Sequence, residues 1–147
     1  MPKENKFFTR LQETAIVRAI QNAEHSTSGE IRVHIENTCK IDPLDRAAHL
    51  FKTLKMHKTE HRNGVLIYLA MKDKKFAILG DAGINAIIPD DFWNDIKDFF
   101  KNEFKKGRFT EGLCDAIYMA GEHLKENFPH LENDKNELPD EISYGNN

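Results

Sequence analysis

Between Leu11 and Ala23 the apolar residues Leu11, Ala15, Ile16, Ala19, Ile20 and Ala23 recur at intervals of three and four, which places them on one face of a helix. Thr9-Arg10-Leu11-Gln12 fits a capping box at its start. The helix is expected to end near Glu24, before His25-Ser26-Thr27-Ser28-Gly29. The period then changes. From Glu30 to Glu36, Ile31, Val33 and Ile35 alternate with Arg32, His34 and Glu36. This predicts a strand with one well-buried face, near the edge of a sheet. Asp42-Pro43 opens a second helix, with Asp as N-cap and Pro at the first helical position. Leu44, Ala47, Ala48, Phe51 and Leu54 form its apolar stripe.

The runs Val65 to Ala70 and Phe76 to Leu79 are continuously apolar, and the polar segment Met71 to Lys75 joins them. Such a pair reads as an antiparallel hairpin. Neither run alternates, so both strands are expected to be covered on two faces. The strand–helix–strand unit before them should be a right-handed crossover, with strand 30–36 parallel to strand 65–70. The sheet is therefore mixed. Pro89-Asp90-Asp91 opens a third helix, whose stripe of Phe92, Trp93, Ile96, Phe99, Phe100 and Phe104 is a core-packing face. Thr110-Glu111 caps a fourth helix, which runs through Leu113, Ile117, Ala120 and Leu124 and stops at Phe128-Pro129. The fold class predicted is α/β: a single α/β/α sandwich over residues 7–128, with a mixed, mostly buried sheet of three to four strands.

Composition narrows the classes. At 147 residues the chain is one domain's length. Its net charge of −3 gives no basic surface for nucleic acid. From His130 onward there are five acids and one lysine. That acidic tail, 129–147, is either solvated or docked through 136–142, where Leu138 and Ile142 are apolar anchors. Cys39 and Cys114 form no spacing motif, so free thiols and a cytoplasmic location are expected. There is no apolar signal core and no run long enough to span a membrane. A monomer is expected.

Candidate chemistry gathers at one end of the sheet. A hairpin brings its outer ends together, so Arg62, Asn63 and Asp81 should be neighbours, and the parallel register puts Ser28, Gly29 and Glu30 beside them. Thr59 to Asn63, Asp81 to Gly83, and Asp90 and Asp91 converge there too. Glu30, Asn63 and Asp81 make an oxygen-rich set of the kind hard cations such as Ca²⁺ or Mg²⁺ favour. Arg62 either holds a carboxylate or receives a phosphate oxygen bidentately. The plainer alternative is a salt-bridge network of Glu30, Arg62 and Asp81. His57-Lys58-Thr59-Glu60-His61 matches H-x-x-E-H, but it sits in a connection rather than on a helix, so it reads as a solvated loop and not as a zinc site.

Thr27-Ser28-Gly29-Glu30-Ile31-Arg32-Val33, Thr59 to Ile67, Gly80-Asp81-Ala82-Gly83-Ile84, Phe104 to Leu113 and Asn136 to Ile142 together resemble the TPM domain. That domain occurs in a thylakoid-lumen acid phosphatase and in many bacterial proteins, and the last segment is similar to that of short soluble bacterial members. The resemblance implies an α/β/α sandwich, a divalent-cation site in a groove at the sheet end, and weak phosphatase activity in some members. In an enzymatic version Glu30 and Asp81 are metal ligands or a base, and Arg62 steadies the phosphoryl group of a phosphorylated substrate. In the alternative the domain is a non-catalytic adaptor that binds a protein partner and holds a structural metal. The chain departs from the commonest architecture in having no signal peptide or transmembrane tail, in Asn63 where the lumenal enzyme often has Asp, and in its turn at 80–83. Ser28 and Thr59 are the only hydroxyls in the cluster, and neither has an evident base, which favours the adaptor.

Overall fold

The computed structural model describes residues 8–87, 93–130 and 137–145. Helix α1, Arg10–Glu24, begins at the expected capping box: Thr9 accepts from the Gln12 amide, and Gln12 returns a bond to the Thr9 amide. Strand β1, Glu30–Glu36, leads to helix α2, Pro43–Thr53, whose N-cap Asp42 accepts from the Leu44 amide. A 3₁₀ turn, Met56–Lys58, precedes strand β2, Gly64–Ala70, and the hairpin returns as β3, Lys75–Gly80. A four-residue helix α3, Ala82–Asn85, then α4, Asn94–Lys105, and α5, Phe109–Asn127, complete the helical part. Strand β4 is the pair Ser143–Tyr144.

The sheet runs β3-β2-β1-β4. β1 and β2 are parallel with Glu30 opposite Gly64, and β2 and β3 are antiparallel with Val65 opposite Gly80. The sheet is mixed, as the crossover and hairpin predict. Alternate residues feed two cores. Ile31, Val33, Ile35, Val65, Ile67 and Leu69 face α1, α4 and α5, where Ile16, Ile20, Phe100, Leu113 and Ile117 are buried. Leu66, Tyr68 and Ala70 face α2 through Ala47, Leu50 and Phe51. Each large side chain so buried contributes on the order of 2 kcal/mol before chain entropy is counted. This is the α/β/α sandwich.

Four details differ from the sequence-based expectation. β1 is buried on both faces, not one, and β4 lies beyond it in the sheet. Glu30, His34 and Glu36 are enclosed because each meets a hydrogen-bond partner, so alternation did not mean solvent; Arg32 is half-buried. β3, not β1, is the outer strand with partly covered residues, and its continuous apolar run misled for lack of a neighbour on one side. α5 starts at Phe109 after Arg108, without a side-chain cap from Thr110. A short helix at 82–85 had no periodic signal, being a single turn set by its N-cap Asp81. Phe7, the Pro89-Asp90-Asp91 start expected for the third helix, Phe92 and Asn136 lie outside the described residues.

The C-terminal segment lies on the sheet. Leu138 is buried against the α2-side core, and Ile142 and Tyr144 pack against the other. β4 pairs parallel to β1, with His34 opposite Ser143 and Ile35 opposite Tyr144.

Candidate functional site

The starts of β1 and β2 and the end of β3 share one end of the sheet, as the register requires. The Glu30 amide donates to the Asn63 carbonyl at 3.3 Å, and the Asp81 amide to the Gly64 carbonyl at 2.9 Å. Glu30, Asn63 and Asp81 are all buried. Each is held by a different neighbour.

Arg62 and Asp81 hold each other. The guanidinium donates from Nε to Oδ2 and from Nη2 to Oδ1, both at 3.0 Å. Asp81 Oδ1 also accepts from the Ala82 amide at 2.6 Å, which caps α3. Of the two roles open to Arg62, the one seen is a carboxylate clamp. The fork keeps access to solvent, since the Arg62 side chain is 48% exposed against 4% for Asp81. Arg62 has φ 50°, a left-handed backbone that costs a non-glycine residue roughly 1 kcal/mol or more. Gly83 secures it by donating its amide to the Arg62 carbonyl at 2.8 Å. A Cβ at Gly83 would lie 2.4 Å from the His61 carbonyl oxygen and 2.5 Å from that of Arg62. Gly83→Ala is therefore expected to push the 59–63 turn aside. The expected cost is about 2 kcal/mol in a denaturant titration, with amide shifts centred on His61 to Asn63.

Asn63 turns the other way and donates from Nδ2 to Ser28 Oγ at 3.3 Å. Glu30 faces the C-terminal segment, where its Oε1 accepts from the Leu138 amide at 2.6 Å. Beside it, Glu24 at the end of α1 accepts from the Ile31 amide at 3.0 Å. Its carboxyl lies within hydrogen-bonding reach of Asp140. Glu24, Glu30 and Asp140 line a cleft of about 400 Å³ together with Gln21, His25 and Ser28. Burial, reinforced by Asp140, pushes the Glu24 carboxyl up to about 9. Burial also lifts Glu30, to about 7, although the Leu138 and Glu137 amides work against it and the Glu137 and Asp140 charges with it. None of the ion pairs among the described residues involves these carboxyls. Asp140 Oδ1 is enclosed without a hydrogen-bond partner. Nothing in the sequence pattern singled out Glu24. It was expected only as the residue near which the first helix ends.

A second polar group, also missed, sits at the far end of β1. Glu36 accepts from Tyr68 Oη at 2.7 Å, from Arg46 Nε at 3.1 Å and Nη2 at 2.6 Å, and pairs with His34 Nε2 at 3.1 Å. His34 Nδ1 meets Ser143 Oγ at 2.8 Å. Burial alone would raise the Glu36 carboxyl, but Arg46, Tyr68 and His34 hold it down to about 2. Burial lowers His34 in spite of Glu36, which keeps the ring neutral near pH 7. With its carboxylate saturated by protein donors, this group is a structural brace.

As placed, no three His, Cys, Asp or Glu side chains among the described residues form a metal-ligand set. His57 lies in the 3₁₀ turn and His61 in the turn that follows it, which is not the helical context H-x-x-E-H requires. Asp90 and Asp91, expected at the site, lie outside the described residues. Cys39 and Cys114 are free thiols. No described helix is long and apolar enough to cross a membrane.

The chain resembles known structures throughout. It is 50% identical to the BA42 protein of the psychrophilic bacterium Bizionia argentinensis, with a TM-score of 0.90 over 99% of this chain and 100% of that one. The N-terminal domain of a protein from P. gingivalis matches at 18% identity and a TM-score of 0.69, over 87% of this chain and 84% of that one. The N-terminal domain of a Corynebacterium glutamicum protein matches at 12% identity and a TM-score of 0.64, over 84% and 86%. At such identities the last two bear on the fold alone. No curated protein matches in sequence. The TPM domain family matches residues 2–123, which is most of the chain. By that match, and by its likeness to BA42 from end to end, the chain belongs to the TPM domain family.

Proposed function

We propose that this TPM domain binds a divalent cation, Ca²⁺ or Mg²⁺, at the start of β1 and uses it to hold its C-terminal segment rather than to hydrolyse phosphate. The observation that carries this reading is that Glu24, Glu30 and Asp140 line one cleft whose described lining includes no lysine or arginine, although as placed the three do not form a ready ligand set and would have to close on the ion. Like charges in a partly enclosed space either take up protons or attract a cation. Asp140 Oδ1 is enclosed beside the Glu24 carboxyl, so that either a proton shared with Glu24 or a cation would satisfy it. The set is all oxygen, which suits a hard ion. Glu30 and Asp140 would hold it, with Glu24 and Glu137 adjoining. Of the three ligands expected from sequence, Glu30 stays in this set. Asp81 is committed to Arg62, and Asn63 to Ser28. What the cation supplies when bound is positive charge between the domain and the segment that carries Asp140.

Titrating Ca²⁺ into the full chain tests this. The melting temperature should rise by linkage, and amides from Glu30 to Arg32 and Leu138 to Asp140 should shift. Asp140→Asn should weaken binding tenfold or more. An unchanged melting curve with millimolar Ca²⁺ and Mg²⁺ sinks the reading.

A weak, metal-dependent phosphatase is the second reading. The half-exposed Arg62 fork favours it, because a solvent-accessible bidentate donor suits a phosphoryl oxygen. Against it, that fork is already matched by Asp81, and Ser28, the nearest hydroxyl, meets an amide rather than a base. Turnover of an aryl phosphate that vanishes in Asp81→Asn would favour this reading.

A further inference from the structure

The brace around Glu36 ends in a group that reaches solvent. Ser143 Oγ lies 2.8 Å from His34 Nδ1, and His34 Nε2 lies 3.1 Å from Glu36 Oε2. Burial falls off along this line: Glu36 is 1% exposed, His34 3%, and Ser143 is only half-buried. The donors on Glu36 fix where the protons sit. Arg46 donates to both its oxygens, from Nε and Nη2, and Tyr68 donates to Oε1. Glu36 is therefore a carboxylate, which can only accept. His34 must turn a protonated Nε2 towards it. In the neutral ring Nδ1 is left with its lone pair, and the Ser143 hydroxyl donates to it. A hydroxyl that donates to an imidazole oriented by a buried carboxylate is the arrangement of a nucleophilic serine. The two ring nitrogens are exchanged relative to the usual catalytic serine, but either can take the proton while the other keeps the carboxylate.

Two neighbours supply what such a serine needs. β4 bonds to β1 through Gly145, whose amide donates to the Ile35 carbonyl at 2.9 Å. Alternation along the strand then turns the Tyr144 amide, next in the chain to Ser143, off the outer edge and leaves it unclaimed by the sheet. Arg32 lies two residues before His34 on the same face of β1, since Leu66 and Tyr68 opposite them both belong to the α2-side core. It is half-buried, and its Nε is enclosed with no hydrogen-bond partner.

We propose that Ser143, His34 and Glu36 form a metal-independent site, distinct from the cleft at Glu24, that cleaves small carboxylic esters carrying an anionic group. Ser143 and His34 are its catalytic residues, and Glu36 positions the ring. Oγ attacks the ester carbonyl carbon as its proton passes to Nδ1, and the Tyr144 amide donates to the oxyanion. The bond from that carbon to the alcohol oxygen breaks as Nδ1 gives the proton to the leaving oxygen. Water then attacks the acyl carbon and gives a proton to Nδ1, and Oγ recovers that proton as the acid leaves. Arg32 takes the anionic group of the substrate.

The full chain in EDTA tests this, with 4-acetoxybenzoate and its methyl ester as substrates and a fluorophosphonate as label. The label is expected on Ser143 alone, and Ser143→Ala should lose both label and turnover. His34→Gln should slow labelling by roughly a hundredfold. Should that variant not fold, the pH profile of the parent asks the same question. Its labelling rate should be flat from about pH 7 to 9 and fall towards acid as the ring takes a proton. Burial, Arg46 and Arg32 lower His34 against Glu36, so the fall lies below the ordinary histidine range. The ¹⁵N shifts of His34 should show Nε2 protonated and Nδ1 bare, which reads the positioning by Glu36 without any reaction. The carboxylate ester should be preferred over its methyl ester by about tenfold, and Arg32→Gln should abolish the preference. No label on Ser143 at millimolar probe, a label that survives Ser143→Ala, a rate that climbs with hydroxide throughout, or a proton on Nδ1 each overturns the proposal. Equal turnover of the two esters overturns the part given to Arg32.

Discussion

Glu36→Ala is expected to cost the fold about 3–5 kcal/mol, the range for removing one partner of a buried charge pair, and to lower the melting temperature by roughly 10 °C. The carboxylate is 1% exposed and takes bonds from Tyr68, Arg46 and His34. Removing it leaves the Tyr68 hydroxyl and the Arg46 guanidinium beside the core without their acceptor, and each loss carries its own desolvation penalty. Glu36→Gln should cost less, since shape is kept and one acceptor oxygen survives, although its amide would point a donor at Arg46. The effect should also travel. His34, no longer oriented by Glu36, is a poorer partner for Ser143, so the Leu138 to Gly145 amides should lose hydrogen-exchange protection ahead of global unfolding. The acid side has a defined sign. Glu36 is held at about 2 against 4.5 in the unfolded chain, so its contribution is whole above 4.5 and is lost as pH falls through 2. A Glu36→Ala variant within about 1 kcal/mol of the parent by denaturant titration would show the brace to be dispensable.

The same residues explain what was legible in the sequence. The helix starts at Thr9 and Asp42 were readable because capping is local chemistry, settled within four residues. The crossover and hairpin were readable because the apolar runs leave few ways to pair, and so the shared sheet end was too. Arg62 meeting Asp81 follows from that topology. Glu30, Asn63 and Asp81 as one ligand set did not follow, because topology fixes where a backbone ends and not which way its side chain turns. Neighbours decide that: Arg62 takes Asp81, Ser28 takes Asn63, and Leu138 takes Glu30. Arg32, His34 and Glu36 were expected on the less buried face of β1 for a related reason. A polar residue in alternation is equally consistent with water or with a partner from another segment: His34 meets Ser143, 109 residues on, and Glu36 meets Arg46 and Tyr68, 10 and 32 residues on. The tail carried only the weak signal of Leu138 and Ile142 within an acidic stretch.

Without divalent cations the melting temperature should be highest near pH 5 and fall by roughly 10 °C towards pH 9. Glu24 and Glu30 set the direction. Their carboxyls are lifted from 4.5 to about 9 and about 7 in the folded chain. A raised carboxyl stabilises the fold in full below 4.5, and that contribution is lost as pH rises through the folded value. It should therefore fade first through about 7 and then through about 9. Each tenfold gain in proton affinity on folding is worth about 1.4 kcal/mol. Even a third of what the two carboxyls would together contribute, after relaxation of neighbours and water entry, is about 3 kcal/mol, which gives the expected drop at this chain length. Glu24→Gln isolates the cause. A glutamine oxygen can still accept from the Ile31 amide, and its NH₂ group can donate to Asp140, so the variant imitates a Glu24 that never loses its proton. It should match the parent at pH 5 and exceed it at pH 9. Calcium should act on the same deficit from the other direction, raising the parent more at pH 8 than at pH 5, because protons and the cation compete for the same oxygens. A melting temperature that is flat from pH 5 to 9, or one that falls in parallel in Glu24→Gln, would mean that these carboxyls are already neutralised in solution. The cleft would then lose its claim to a cation, while Arg62 and Asp81 at the neighbouring strand ends would keep theirs to a phosphoryl oxygen.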